Sequence, residues 1–583
     1  MVKNILILNM TRMGDLIQTT PTITGLRKKY RDSNITLMVT KDFEEFSKNI
    51  SHVNNRVVID IKQFRDRKNL NGFLWIELYR YLESLLDELK QNNYDLLINL
   101  SHSKLSAFMI SYLGINSVRG FGCNTNGDRM TFDPWMQYFG TEPFNRRTNP
   151  FNLVEIFTRG AGVAPENNPI HLIPNLIDPK VLIQKFSNCI KEGDLVVGMQ
   201  AGSSVEGRRW SPKSFAILAD GLIESLDAKL ILFGVDSEKE LGEQIVHFSK
   251  YKDKLIDLTG RTNVDELTSL VKRCSYLITN DTGTMHIAAA VGTTVVGLFF
   301  AHAHPYETAP YSPGHVIFQA RIECAPCSYG VECNNIVCVH KVQPDHLLLM
   351  IQRHHASGVW ETTKTMSNMD EINIFNTYIG EDSRLRLRSL IKHPITLNDV
   401  IREVYAEHWL KSLGQEMDKS STHCDIGKLL FREYDCSNTD KLCMQIDDKM
   451  VTLKSLKVIA STGIKLTNQI INLCSSGNLT KTIDAVKVLA EEIEKLDKRI
   501  NQIGFVNPEL KSITDMFVKR KENIQENEPT QLALDTKECY VKLLDECASL
   551  VSLLIPVSNK FKSSNINTFH AVVSSINVEV PGR

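Results

Sequence analysis

The sequence predicts two open α/β domains in tandem, followed by an α-helical region. Short apolar runs alternate with amphipathic stretches over residues 1 to about 165, the pattern of parallel strands joined by crossover helices. A second series of the same kind starts at "LVVGMQAGSS" and ends at "TVVGLFF". From about Gly358 onward strand-like runs largely vanish and apolar residues recur at helical spacing. The expected divisions are 1–170, 171–357 and 358–583, in keeping with a chain of 583 residues, since single cores stop growing at roughly 250 to 300.

Taken in order, "NILILN" reads as the first strand, with a helix toward Tyr30. "ITLMVT" is the second strand, "LWIELYRYLESLLDELK" a long helix and "DLLINLS" the next strand. In "GVAPENNPIHLIPNLIDP" prolines and asparagines rise and periodicity is lost, as in an interdomain linker. The second series runs through "SFAILADGLIES", "AKLILFG", "DELTSLVKRCSYLITND" and "MHIAAAVG". Two such sheets leave a cleft, with ligands expected outside the carboxyl ends of the strands. In the third region "LNDVIREVYAEHWLKSL", "LKVIASTGIKLTNQIINL", "TIDAVKVLAEEIEKLDKRI" and "TKECYVKLLDECASLVSLLI" predict helices, and the last residues, 559–583, a short strand or an ordered tail.

Composition narrows the function classes. With 42% hydrophobic and 23% charged residues the chain has the balance of a globular protein, and no stretch nears the roughly 18 to 20 apolar residues of a membrane span. A net charge of -1 speaks against a nucleic-acid partner bound through global basicity. "MVKNILILNM" reads as a strand rather than a secretory signal, so the expected compartment is the cytoplasm. Thirteen cysteines, an odd number, then fit reduced thiols or a metal site better than a disulfide framework.

Three stretches can carry chemistry. In "LNMTRMGDLIQTTP" Asp15 lies at the bend between the first strand and its helix, where its carboxylate would face the cleft, and Gly14 supplies backbone freedom for the turn. The alternative is a plain helix cap. In "LITNDTGTMHIAAAVGTTVVGLF" a strand runs into Asn280, Asp281, Thr282, Gly283 and Thr284 and then an Ala-rich helix, a geometry that favours a phosphate. His286, one turn in, is either a further donor or a satisfied buried histidine. In "QAGSSVEGRRWSPKSFAILA" the hydroxyls of Ser203 and Ser204 and the guanidinium of Arg208 suit a pyrophosphate, with one of Arg208 and Arg209 expected to be a solvated charge. Neither GxGxxG nor GxxxxGK[ST] occurs at these sites, so hydride transfer and nucleoside triphosphate hydrolysis lose their usual support.

In this order and spacing the three stretches resemble glycosyltransferase family 9, the ADP-heptose heptosyltransferases of lipopolysaccharide assembly and their relatives, over roughly residues 1 to 355. "TRMGD", with Arg12 two residues before Gly14, looks like the family's Arg-x-Gly-Asp variant, an acceptor-side loop. The resemblance implies a GT-B fold of two Rossmann-like domains around a cleft. It also implies Asp15 as the base for an inverting transfer, and a donor loop of Asp281, Thr282, Gly283, Thr284 and His286. Ser203 and Ser204 match small phosphate-contacting positions, and Arg208 stands where the family often has lysine. No catalytic metal is expected. A further departure is "GLFFAHAHPYETAPYSP", where Ala301, His302, Ala303 and His304 replace the Gly-Pro-Thr run of many relatives.

"CAPCSYGVECNNIVCVH" places Cys324, Cys327, Cys333 and Cys338 within fifteen residues, a pattern suited to a structural Zn or Fe site, with free thiols or a pair of disulfides as the alternative. The expected activity is transfer of a heptose or similar sugar from an ADP-sugar to a hydroxyl of lipopolysaccharide core, another glycan or a protein Ser/Thr. The rivals are a nucleotide-sugar epimerase on the same fold and a degenerate transferase acting in assembly. Homo-oligomerisation and peripheral contact with the inner membrane complete the expected partners.

Overall fold

The computed structural model describes residues 2–62, 72–124, 126–165, 169–178, 181–182, 185, 190–362, 369–414, 425–475, 479–525 and 528–576. It divides into two compact units: residues 1–136 with 151–391, and residues 137–150 with 392–583.

The first unit holds two sheets. Ile5 to Leu8 are sealed from solvent on both faces, as a central parallel strand requires. They form β1 (Asn4–Leu8), followed by α1 (Met13–Gln18), α2 (Thr20–Lys29), β2 (Asn34–Thr40), β3 (Asn55–Ile59), α3 (Gly72–Lys90), β4 (Leu96–Asn99), α4 (Lys104–Leu113), β5 (Val118–Cys123) and β6 (Arg129–Thr131). The strand order is β3-β2-β1-β4-β5-β6, parallel except for the edge strand β6. Leu6 lies beside Thr36 of β2 and Leu97 of β4, so the direction of winding reverses between β1 and β4. That reversal opens a crevice at the carboxyl ends of the two strands.

After α5 (Pro134–Asn145) and α6 (Leu153–Gly160) the irregular stretch at 169–178 crosses to the second sheet. The His171 amide donates to Thr20 Oγ1 (3.3 Å) and the Ile177 amide to Ser269 Oγ (3.0 Å). The second sheet comprises β7 (Val196–Gln200), α7 (Pro212–Leu226), β8 (Lys229–Phe233), α8 (Lys239–Phe248), β9 (Leu255–Asp257), α9 (Val264–Arg273), β10 (Tyr276–Asn280), α10 (Gly283–Val291), β11 (Thr294–Phe299), β12 (Val316–Ala320), α11 (Pro344–Ser357), β13 (Ile372–Ile379) and β14 (Leu385–Ser389). Its order is β14-β13-β12-β11-β10-β7-β8-β9, with winding reversed between β7 and β10. A core of Met199, Phe215, Leu218, Leu232, Ile278, Leu298 and Phe318 fills the space under its helices.

The β13–β14 hairpin corrects the expectation that residues 358–583 are helical. Phe318 of β12 pairs with Ile374 of β13 in an antiparallel ladder. Arg384 in the hairpin turn makes a buried two-pronged bond to Glu155 of α6, Nε to Oε1 at 3.0 Å and Nη2 to Oε2 at 3.2 Å. These ties hold the hairpin in the first unit, so the helical unit begins at Lys392.

The helical unit comprises α12 (Leu397–Leu413), α13 (Ile426–Glu433), α14 (Asp440–Ser475), α15 (Leu479–Val506), α16 (Lys511–Glu522) and α17 (Pro529–Ile576). Residues 137–150, expected in the first domain, belong here: the Tyr138 ring packs on Trp409 (5.5 Å) and Arg402 Nη2 donates to the Arg147 carbonyl (3.0 Å). Gly463 of α14 lets the Tyr540 ring of α17 lie against the helix backbone, since a Cβ there would sit 2.5 Å from the ring. Where a strand or ordered tail was expected after residue 558, α17 continues to Ile576, and 577–583 lie outside the described residues.

Candidate active site

β1 ends at Leu8, and the next residue, Asn9, pins the bend. Its amide side chain donates to Thr19 Oγ1 (2.7 Å), and its Oδ1 accepts from the Thr11 backbone (3.3 Å). The Met10 amide donates to Ser101 Oγ (2.8 Å), tying the bend to the loop after β4, across the point where winding reverses. Arg12, exposed and extended, is the N-cap of α1, and Asp15 is the third helical residue. Asp15 is therefore not the cap itself: its Oδ2 accepts the Arg12 backbone N–H at 3.4 Å. Burial pushes the Asp15 carboxyl above the usual carboxylate range. The Arg12 amide, the Thr11 hydroxyl and the Arg12 charge pull it down, while the negative charge of Asp281 adds to the rise.

The second sheet repeats the device. Asn280, the last residue of β10, donates to the Ala201 carbonyl (2.7 Å) and accepts from the Trp210 amide (3.2 Å), which draws the loop after β7 onto the end of β10. In that loop Ser203 is buried and its Oγ has no hydrogen-bond partner among the described residues, whereas Ser204 is exposed. Arg208 is buried in an ion pair with the Asp281 carboxylate, and its Nη2 also donates to the Asp281 carbonyl at 2.6 Å, leaving Nε without a partner. Arg209, a candidate for a solvated charge, instead donates from Nε (2.9 Å) and Nη2 (2.7 Å) to the Ser203 carbonyl. Thr282 caps α10 in extended conformation, and Thr284 and His286 are buried in its first turns. The unpaired N–H groups of a helix start point outward along its axis, a setting suited to an anion.

The two helix starts meet. A Cβ on Gly14 would stand 3.2 Å from His286 Cδ2, and one on Gly283 would stand 2.5 Å from Met13 Cε and 3.5 Å from the Gly14 amide nitrogen. Neither glycine has a positive φ, so the reason for Gly14 is close approach of α1 to α10 and not backbone freedom in the turn. Asp15, Asp281, Arg208 and His286 thus share one junction between the sheets. Burial lowers the His286 pKa to about 4, against the opposing pull of Asp281, so its ring is neutral near pH 7, with Nδ1 unpartnered.

The segment after β11 closes one side of the junction. Ala301 has φ of 52°, and its carbonyl accepts the Cys327 amide at 2.9 Å; the His302 ring packs on Tyr329 at 5.4 Å. A single helical turn follows, Pro305–Thr308, from which Thr308 Oγ1 donates to Asp281 Oδ2 at 3.2 Å. The cysteine stretch therefore backs the loop that borders Asp281. Cys324 and Cys333 are exposed, Cys327 partly buried and Cys338 buried. Burial raises the Cys327 pKa, and the three neighbouring thiols add to that rise. Among the described residues no group of three or more His, Cys, Asp or Glu side chains is arranged to hold a metal ion.

Sequence reasoning placed Asn280 at the head of the donor loop without giving it a role, and missed Asn9 and Thr308. The asparagines carry a signal, since each follows an apolar run at the end of a central strand; Thr308 carries none, being 27 residues from its partner Asp281.

Residues 180–335 match the family model of glycosyltransferase family 9 (heptosyltransferase). The chain is 32% identical over 120 residues to lipooligosaccharide heptosyltransferase 2 of Haemophilus influenzae, covering 20% of this chain and 34% of that protein. It is 22% identical over 358 residues to lipopolysaccharide core heptosyltransferase OpsX of the same organism, covering 60% and 94%. Among solved structures it is similar to the family 9 glycosyltransferase of Veillonella parvula, at 19% identity and a TM-score of 0.49, over 60% of this chain and 96% of that one. Two doubly wound sheets meeting at the ends of β1 and β10 make the fold GT-B, residues 180–335 match glycosyltransferase family 9, and a helical C-terminal region follows.

Proposed function

We propose that this chain transfers a heptose from ADP-heptose, with inversion, to a hydroxyl of a lipopolysaccharide core acceptor. The observation that carries the reading is the junction at which a proton-accepting carboxyl, Asp15, stands beside a helix start lined with Asp281, Thr284 and His286. In this reading Asp15 takes the proton of the acceptor hydroxyl as that oxygen attacks the anomeric carbon and the bond to the diphosphate breaks on the opposite side. The α10 amides stabilise the departing diphosphate. Ser203 and Arg208, whose Oγ and Nε are buried without partners among the described residues, fit phosphate oxygens, and Gly283 lets the α10 start approach α1. Ser204, exposed, and Thr282, the α10 cap, complete the donor side, while Arg12 and Gly14 form the acceptor-side loop. The relatives named above are heptosyltransferases of lipopolysaccharide or lipooligosaccharide, which supports the donor and the acceptor. A protein or other glycan acceptor is the second choice within the class. Action in the cytoplasm, at the inner face of the membrane, goes with a lipid-linked acceptor; among the described residues no helix is long and apolar enough to cross a membrane.

A structural Zn or Fe held by Cys324, Cys327, Cys333 and Cys338 belongs to the same proposal, on the chemistry of four thiols in fifteen residues. Cys324, Cys333 and Cys338 all lie close enough to act on the Cys327 thiol, and no catalytic step runs through the metal. Elemental analysis of the purified chain, with wild type at about one metal per chain and Cys324→Ser well below it, is the expected result.

The experiment on function is ADP release from ADP-heptose with and without a lipopolysaccharide acceptor truncated before its heptoses. Release that requires the acceptor and vanishes in Asp15→Asn supports the reading; acceptor-independent conversion of the donor favours an epimerase instead.

A further inference from the structure

We propose that Thr308 is a positioning residue that keeps the Asp281 carboxylate turned toward Arg208 and away from Asp15, so that the base stays ionisable. The inference deepens the transferase reading and rests on it for the role of the base. Two carboxylates, Asp15 and Asp281, belong to helix starts whose backbones touch at Gly14 and Gly283. Like charges at such a junction repel, so at least one of the two needs a cationic partner if both are to be ionised. Arg208 pairs with Asp281, but from one side only: the same Nη2 reaches both the carboxylate and the carbonyl. A second restraint on that carboxylate is Thr308 Oγ1, which donates to the same Oδ2 at 3.2 Å, the shorter of its two contacts, the His304 carbonyl lying at 3.4 Å. Thr308 is itself fixed, since its amide donates to the His304 carbonyl at 3.1 Å at the end of the Pro305–Thr308 turn. With the hydroxyl removed, the Asp281 carboxylate keeps its pairing with Arg208 but gains freedom to swing toward α1.

The charged and titratable groups that face the pair come from each packed element. Arg12 lies on the N-cap of α1, His286 on α10 and Arg208 on the turn after β7. Thr308 acts on the Asp281 carboxylate without a charge of its own. Its replacement by valine therefore changes orientation and leaves the charge count unaltered.

The test is the acid limb of kcat/KM for ADP release by full-length wild type, Thr308→Val and Thr308→Ser. Thr308→Val is expected to move the limb to higher pH by about half a unit, with Thr308→Ser restoring it. A fall in kcat with an unmoved limb, or failure of serine to restore it, overturns the positioning role. A second readout needs no turnover: urea unfolding of wild type, Asp15→Asn, Thr308→Val and the double variant between pH 4 and 8. Thr308→Val should steepen the dependence of stability on pH in the Asp15 background and leave it unchanged in the Asp15→Asn background. Equal effects in both backgrounds sink the proposal, while absent ADP release with a positive cycle sinks the transferase reading and spares the coupling of Thr308 to Asp15.

Discussion

The α/β unit and the helical unit both bury polar groups, but they dispose of them differently. In the α/β unit Ser203 Oγ, Arg208 Nε and His286 Nδ1, unpartnered among the described residues, belong to loops and helix starts at the carboxyl ends of β7 and β10, while Gln18 Oε1 and Gln319 Nε2 lie in α1 and β12. In the helical unit His408 Nε2, Trp409 Nε1, Arg520 Nη1 and Glu546 Oε2 lie in the interiors of α12, α16 and α17, and Ser512 Oγ in the first turn of α16. Backbone amides are left free at helix starts and strand ends and are consumed inside helices. The first set can therefore combine with backbone donors to grip a ligand, and the second has only side chains. Buried polarity alone does not mark a site; buried polarity at chain ends of a sheet does.

The sharpest way to break this comparison is to remove the base. Asp15→Asn is expected to lower kcat for ADP release about 10²- to 10⁴-fold, with little change in unfolding midpoint, because the group acts on the reaction and not on packing. A variant within a few-fold of wild type would deprive the junction of its assigned role.

The helical counterpart is Arg520→Ala. Arg520 Nη2 bonds Glu546 Oε1 at 2.5 Å with both side chains almost fully buried, so the substitution strands a carboxylate in the interior. The expected cost is about 3 to 5 kcal/mol in the stability of the helical unit, read by hydrogen exchange along α17, with KM for ADP-heptose unchanged at a temperature where the variant is folded. A rise in KM without loss of protection would place the helical unit in substrate binding and remove the contrast.

Acid sharpens the comparison through histidines. Burial lowers the pKa values of His102, His286 and His315 in the α/β unit to about 4 and of His408 in the helical unit to about 3. Each is neutral when folded and titrates near 6.5 when unfolded, so the unfolded chain binds more protons between those limits. Stability is then full above pH 6.5 and falls as pH drops toward 4, by up to about 1.4 kcal/mol per pH unit for each histidine. Urea midpoints followed by exchange in each unit should fall more steeply for the α/β unit, and His408→Gln should flatten the helical unit's curve alone.

How much of this was legible beforehand depends on range. The strands from "NILILN" to "TVVGLFF" announce themselves because central parallel strands are apolar on both faces, and β1 and β10 are buried throughout or nearly so. Asp15 and the Asp281 loop stood out because turn chemistry is local. The β13–β14 hairpin did not, since "INIFNTYI" alternates weakly and its placement depends on β12 and on Arg384 reaching Glu155, 229 residues away. The role of Gly14 was misassigned for the same reason: its neighbour is His286, on the other sheet. The four cysteines were conspicuous in sequence, yet their spacing does not dictate that the sulfurs converge.

The smallest expected effect separates the twin arginines. Arg208 meets a carboxylate and a carbonyl, whereas both bonds from Arg209 go to the Ser203 carbonyl, so Arg209 acts on the shape of the loop. Loss of one neutral acceptor's hydrogen bonds costs about 1 kcal/mol, since water replaces part of what is removed. Arg209→Ala should accordingly raise KM for ADP-heptose about five-fold, with kcat held within a factor of two. Arg208→Ala, which frees the Asp281 carboxylate at the junction, should lower kcat as well. If the two variants behaved alike, the loop after β7 would be reading phosphate charge in general, and the distinction between a residue that shapes the loop and one that faces the donor would fail.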